Sequence, residues 1–338
     1  MQNAQGLPAR PLDVPAEYPV RIPWDGILVD DPNHPLDIER RVREVIEIIW
    51  SGSRRGDEAD APPTNEIRLP TSSATPEAIE HEACEILDVK SLRDYFRKPA
   101  GFFADHLKRY SKSRRRAPIY WPLSSPKNLY TVWLYYHRLT PDTFFTILRD
   151  HVKPRLEAEE RHAFNLRQQA GPAATTSQAR DIAASEEIVE DLRALRDELQ
   201  RIAPLWRPDL NDGVVINHAP LWRMAGHAPW RKALKETWEA LAAGEYDWAH
   251  LALHLWPERV IPKCATDRSL AIAHSIDAFF WATDPKTGKA VAVKRTGTEV
   301  AALVAERTSS AVKAALESLL SAPAPGGGAV KKGRKAAK

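Results

Sequence analysis

Apolar residues recur every three to four positions over most of the chain, the period of an amphipathic helix. In "HPLDIERRVREVIEIIW", Ile38, Val42, Val45, Ile46 and Ile49 fall on one helical face, and Asp37 is placed to cap the start. "SGSRRGDEADAPPTN" then carries Gly, Pro and Asp and predicts a loop. "TPEAIEHEACEILDV" predicts a second helix, with Thr75 as cap, Pro76 in the first position and Glu77 where the dipole favours an acid. Its capping box is incomplete, since Ala78 stands where Glu or Gln is wanted. Ala83, Ile86 and Leu87 are expected to face inward. "SLRDYFRKPAGFFADHLKRYSKSRRR" predicts a short helix, a break at Pro99-Ala100-Gly101, and another helix.

The period then changes. "APIYWPLSS" and "NLYTVWLYYHRL" are rich in Tyr, Trp, Val and Leu, and "SPKN" between them is turn chemistry, so a β-hairpin is predicted. "TPDTFFTILRDHVKPRLEAEERHAF" returns to helix with Thr140 as cap, and "QQAGPAATTSQA" breaks the pattern. A long helix follows, with Ile182, Ile188, Leu192, Leu195, Leu199 and Ile202 on one stripe; it is placed to pair with the helix before it as an antiparallel hairpin. Short tryptophan-bearing helices fill the last third, and a final helix runs from about Thr298 to Leu320. The expected fold is mainly α and multi-helical, with a small β-hairpin element, a long antiparallel helix pair and a disordered basic C-terminal tail. The organisation read from these patterns is an extended lead-in at 1–35, a helical and β-hairpin basic module at 36–172, a helical module at 173–321 and the tail at 322–338.

Composition narrows the function classes. Over 338 residues the net charge is only +3, so any nucleic-acid footprint must be a local patch. Cys84 and Cys264 lie far apart, which is neither a disulfide framework nor a cysteine-based zinc site, and a reducing cytoplasm is expected. No stretch reaches membrane-spanning length, and the first residues lack the apolar core of a secretory signal. No P-loop, dinucleotide-binding glycine motif or nucleophile elbow occurs. "DDPNHP" at Asp30–Pro35 only loosely resembles the N-P-P-Y loop of amino-methylating DNA enzymes; a turn before the first helix is the stronger reading. His250 and His254 share a helical face, but Leu251 replaces the glutamate of H-E-x-x-H, which favours hydrogen-bonded imidazoles at a helix interface over a metal. His81, Glu82 and Cys84 point in different directions around a helix, Glu258 and Lys263 fit ion pairing, and Asp267 fits a helix cap.

The densest chemical signal is "KRYSKSRRR". Lys108, Arg109, Lys112, Arg114, Arg115 and Arg116 surround Tyr110, and Tyr120, Trp121, Trp133, Tyr135 and Tyr136 follow. Lys and Arg neutralise phosphates, and aromatic rings beside cations suit base stacking. The competing reading is a solvated helix end whose cations the dipole favours.

"ACEILDVKSLRDYFRKPAGFFADHLKRYSKSRRRAPIYWPLSSP" and "YTVWLYYHRLTPDTFFTILRDHVKPRL" resemble the C-terminal region of large adenine-specific DNA methyltransferases, the PglX-like proteins of BREX and DISARM phage defence and their type IIG restriction-modification relatives. "DLNDGVVINHAPLW", "PWRKALKETWEALAAGEYDWAHLALHLWPERV" and "KCATDRSLAIAHS" look like that family's closing segments in the same order, so the resemblance spans roughly residues 20–283. In that family the S-adenosylmethionine fold and the N-P-P-Y-type loop lie upstream, and this sequence has neither. The resemblance therefore implies a DNA-binding, specificity or clamp portion that works on double-stranded DNA with a separate methyltransferase chain. That catalytic chain would carry the S-adenosylmethionine; no cofactor, metal or catalytic residue is expected here. The alternatives are a scaffold that docks a methyltransferase without touching DNA, or a truncated remnant.

Overall fold

The computed structural model describes residues 23, 25–55, 75–98, 100–113 and 115–322, with side chains for all of these except 48–55. The chain is mainly helical with a few small antiparallel sheets. Its described residues form two compact units: one runs to Ser124 and adds Tyr130–Leu139, and the other takes Ser125–Leu129 and everything from Thr140 onward. The sequence-based boundary at 172/173 falls inside the second of these.

The first unit holds, in order, β1 (Ile27–Val29), α1 (Ile38–Arg55), α2 (Pro76–Ile86), α3 (Leu92–Arg97), α4 (Phe102–Arg109), β2 (Ser111–Lys112), β3 (Arg115–Arg116), β4 (Tyr120–Ser124) and β5 (Thr131–Tyr135). The expected hairpin is β4–β5, with Trp121 opposite Leu134 and Leu123 opposite Val132. A third strand, β1, adds to the other side of β5, so part of the proline-rich lead-in is sheet. Pro122 is tolerated because β4 is an edge strand and its missing N–H breaks no ladder beyond. On one sheet face Trp133, only 2% exposed, packs edge-on against Phe96 of α3 and Phe102 of α4. Gly26 leads into β1 at φ +69°, and a Cβ there would fall 2.7 Å from the Arg138 Cβ, so glycine answers both a backbone and a steric demand.

An ionic network ties β1 to three helices. Asp30, at the end of β1, pairs with Arg93 and Arg97 of α3. Arg93 also reaches Asp37 at 2.8 Å and Glu39 at 2.7 Å, and Arg43 of α1 holds Glu39 at 3.1 Å and Glu80 of α2 at 2.7 Å. Asp37 further caps α1, accepting from the Arg40 N–H at 3.1 Å. Buried carboxylates are stable only when paired and hydrogen-bonded, and Arg93 supplies most of the pairing.

Three sequence expectations in this unit change. Helix α1 continues through Ser51–Arg55, into the stretch read as loop; residues 56–65 of that loop lie outside the described residues. On α2, Thr75 caps as expected, but Ile86 is 76% exposed and Cys84 is buried in the inward position. The helix after the 99–101 break stops at Arg109 and does not run through the arginines.

The second unit begins with α5 (Thr143–Thr146), a π-helical stretch (Ile147–Val152) and α6 (Lys153–Ala170). Pro154 has no N–H for the carbonyl four residues back, and the wider π turn removes that conflict without ending the helix. Thr140 does not cap; its N–H donates to Thr143 Oγ1 at 2.9 Å. The long helix α7 (Thr176–Ile202) opens on a Thr175/Gln178 capping box and runs antiparallel to α6, crossed by Arg167–Glu186 and Arg193–Glu160 pairs. Asp191 of α7, 2% exposed, accepts the Lys127 and Leu129 N–H groups at 2.8 and 3.2 Å and so holds the turn between β4 and β5.

The remainder is α8 (Val214–His218), α9 (Ala228–Ala243), α10 (His250–Leu255), α11 (Pro257–Lys263), α12 (Arg268–Ala273), α13 (Asp277–Phe280), β6 (Trp281–Thr283), β7 (Ala290–Ala292), α14 (Gly297–Arg307) and α15 (Ser310–Ser321). Ile261, Cys264, Leu270, Ala271, Ile276 and Phe280 form one core cluster there. The β6–β7 hairpin was not expected from the sequence. The single final helix is two, because Ser309 caps a new start through the Val312 N–H. Residues 323–338, read as a basic tail, lie outside the described residues. No described helix is long and apolar enough to cross a membrane.

Candidate nucleic-acid interface

The basic run is not a helix end. Only Lys108 and Arg109 belong to α4; Ser111–Lys112 and Arg115–Arg116 form the two strands of a minimal β-hairpin. Its turn places Ser113 at φ +59°, a left-handed conformation unfavourable for a residue with a Cβ, while Arg114 lies outside the described residues. The hairpin is closed at its base by the Ala117 N–H donating to the Tyr110 carbonyl at 3.1 Å. Ser111 Oγ donates to the Leu107 carbonyl at 2.5 Å and satisfies an orphan acceptor at the end of α4.

The charges on this hairpin are arranged against one another. Lys112 pairs directly opposite Arg115, and Arg116 opposite Ser111. Like charges at directly opposed positions destabilise a strand pair. Lys108, Arg109, Lys112, Arg115 and Arg116 are all exposed, and none has a salt-bridge partner among the described residues. Arg43, Arg93, Arg97, Arg167 and Arg193 each have a carboxylate in reach. The hairpin therefore concentrates cationic charge that the described residues do not neutralise.

His106 fixes this hairpin to the sheet. Its ring is 7% exposed, and Nε2 accepts both the Ile119 and Tyr120 N–H groups, at 3.0 and 3.1 Å. An imidazole with two donors aimed at Nε2 must be neutral there. Burial, reinforced by the charge of Arg109, pushes its pKa down to about 4. The last turn of α4 is thereby tied to the chain entering β4.

The aromatic residues divide. Trp121, Trp133 and Tyr136 are buried at 0%, 2% and 5% exposure and belong to the core, so the expectation that they stack on a ligand is corrected. Tyr110, at 40%, is exposed, and Tyr120 and Tyr135 are partly so. These three tyrosines and His106 form a continuous series, with ring centroids 4.5 Å apart for Tyr110–His106, 5.6 Å for His106–Tyr120 and 5.1 Å for Tyr120–Tyr135.

The other candidates have the following surroundings. His250 Nδ1 is 2.9 Å from buried Asp212, which also accepts the His250 and Leu251 N–H groups at the start of α10. His254, half-buried, is pushed down to about 4 by burial and then by the charge of Arg207, but its buried Nε2 has no hydrogen-bond partner among the described residues, so the hydrogen-bonded imidazole expected there is not found. His81 lies 3.7 Å from Glu85 on an exposed face. Glu258 pairs with Lys313 and Lys263 with Asp247, each at 2.5 Å, and Asp267 caps α12 through the Leu270 N–H. In "DDPNHP", Asp31 and His34 accept backbone N–H groups within the turn, and Asp30 is taken up by Arg93 and Arg97. Among the described residues no three His, Cys, Asp or Glu side chains gather as a metal site.

Neither the Arg93 network nor the His106 joint was found by sequence reasoning. The only signal was a lone histidine on a short helix, and its partners lie 13 and 14 residues further on. No protein-family model and no curated protein matches this chain.

Proposed function

We propose that this chain is the DNA-gripping part of an adenine-specific DNA methyltransferase-like defence system, working with a separate chain that carries S-adenosylmethionine and the chemistry. The observation that carries the reading is the β2–β3 hairpin, where Lys112 faces Arg115 and neither has a carboxylate partner among the described residues. An arrangement that repels itself in the free protein is relieved when a phosphate lies between the two cations. Lys108, Arg109 and Arg116 extend the same exposed charge, and Tyr110 lies within it; Arg114 belongs to the same run by sequence. The resemblance of the chain to the C-terminal region of such methyltransferases supplies the biological setting.

The scaffold alternative expects an exposed tryptophan cluster. Among the described tryptophans only Trp248 is exposed, which favours direct DNA contact. The test is fluorescence anisotropy with a labelled duplex. Replacing Lys112, Arg115 and Arg116 together by Gln should weaken binding roughly ten- to a hundred-fold at moderate salt. Wild-type affinity in that variant would reject the assignment, and wild-type protein that binds no duplex would reject the function.

A further inference from the structure

The three tyrosines beside the hairpin are not needed to hold phosphates, and their arrangement asks for another occupant. Tyr120 and Tyr135 are direct cross-strand partners on β4 and β5, so both rings leave the same sheet face. That face is covered further along by α3 and α4, where Trp133 meets Phe96 and Phe102. Tyr110 is brought to the same place from the end of α4, through the neutral ring of His106. Burial first, then the neighbouring Tyr135 and Tyr110, raises the pKa of Tyr120. Tyr120 therefore stays protonated and keeps both a donor and an acceptor at neutral pH.

An aromatic face next to phosphate-holding cations has one well-matched ligand chemistry. In duplex DNA the base faces are covered by their neighbours, and a tyrosine can reach only base edges or sugar. An unpaired base offers a free π-face, and stacking on aromatic side chains beside a cationic track is the usual basis of single-strand binding. The nearest exposed cations along the chain are Lys108 and Arg109, which come just before Tyr110, and Lys112, Arg115 and Arg116 on the hairpin that starts one residue later.

We infer that Tyr110, backed by Tyr120 and Tyr135, is a stacking site for an unpaired nucleobase of a DNA strand whose phosphates the β2–β3 hairpin holds. The inference rests on the proposed DNA grip and adds to it a preference for locally opened over fully paired DNA. Tyr110 is the contact residue because it is the exposed member; partly exposed Tyr120 and Tyr135 continue the aromatic series behind it through His106.

The full chain is titrated with labelled oligothymidine and with a duplex of similar length, about a dozen nucleotides each. Tyr110→Ala should weaken oligothymidine binding about five- to a hundred-fold, leave duplex binding nearly unchanged, and leave both salt slopes as they were. Tyr110→Phe keeps the ring and should bind both ligands like wild type, which separates stacking from any effect of the hydroxyl or of folding. Equal loss on both ligands, no loss on oligothymidine, or a wild-type protein that binds duplex but not oligothymidine overturns the stacking site and leaves the phosphate grip standing. Failure of the wild-type protein to bind either ligand removes the grip itself.

Discussion

Acidification strikes the joint beneath the basic hairpin, because His106 carries that joint as an acceptor. In the folded chain the ring stays neutral down to about pH 4, against 6.5 for a free imidazole. Between those values the unfolded segment binds a proton that the folded one refuses, so stability is complete above about pH 6.5 and falls as the pH drops toward 4. Each unit of pKa difference corresponds to about 1.4 kcal/mol. Allowing for the solvent that still reaches part of the site, the loss between pH 7 and pH 4.5 is about 2 kcal/mol. Protonation would also turn Nε2 from an acceptor into a donor facing the Ile119 and Tyr120 N–H groups. Each orphaned amide costs about 1–3 kcal/mol, which is consistent with that figure. His218, His227, His254 and His274 are also held below the ordinary value, with burial the leading cause for each, so global unfolding would mix their contributions with this one. The readout must be local. Hydrogen exchange at the Ile119 and Tyr120 amides, corrected for intrinsic rates, should show the opening free energy falling by about 2 kcal/mol over this range. In His106→Gln the same amides should show no such pH dependence. A wild-type profile flat from pH 7 to 4.5 would mean that His106 is not the neutral acceptor described.

Further outcomes follow from the packing. Arg93→Met leaves Asp30, Asp37 and Glu39 short of their shared cation and should cost about 3–5 kcal/mol in urea unfolding; a loss under about 1 kcal/mol would show that Arg97 and Arg43 suffice. Asp191→Ala removes the acceptor for the Lys127 and Leu129 N–H groups and should cost about 2–3 kcal/mol, with exchange protection lost first at those two amides; unchanged protection there would refute its role in holding the turn. Gly26→Ala meets both a positive φ and the Arg138 Cβ, and should lower stability by about 1–3 kcal/mol, whereas a neutral or stabilising effect would contradict the close approach.

Much of the architecture was legible because its signals were local. Apolar spacing marked α1, α2 and α7, and Thr75, Asp37 and Asp267 announced themselves as caps by residue type and place. The β4–β5 hairpin was readable from its β-rich runs and from "SPKN". Strand β1 was not readable, since three residues carry no period and its partner on β5 lies about a hundred residues away. Ile86 was misplaced because the inward stripe of α2 is rotated onto Cys84, a choice made by what packs against the helix. The split between α14 and α15 was present as Thr308-Ser309, but the continuous apolar period on both sides hid it. At the candidate site the charges were visible and their geometry was not. Two-residue strands have no pattern, so the run read as a helix end, and the burial of Trp121 and Trp133 could not be told from aromatic content alone.

The central claim is that the β2–β3 hairpin holds DNA phosphates, and the salt dependence of duplex binding tests it most directly. Log affinity plotted against log salt gives a slope of roughly 0.9 for each phosphate neutralised on B-form DNA. The variant with Lys112, Arg115 and Arg116 all replaced by Gln should have a slope shallower than wild type by roughly 2.7, because about three phosphates are no longer neutralised. If the variant binds duplex DNA with the wild-type slope, the hairpin does not touch the phosphates and the account is contradicted.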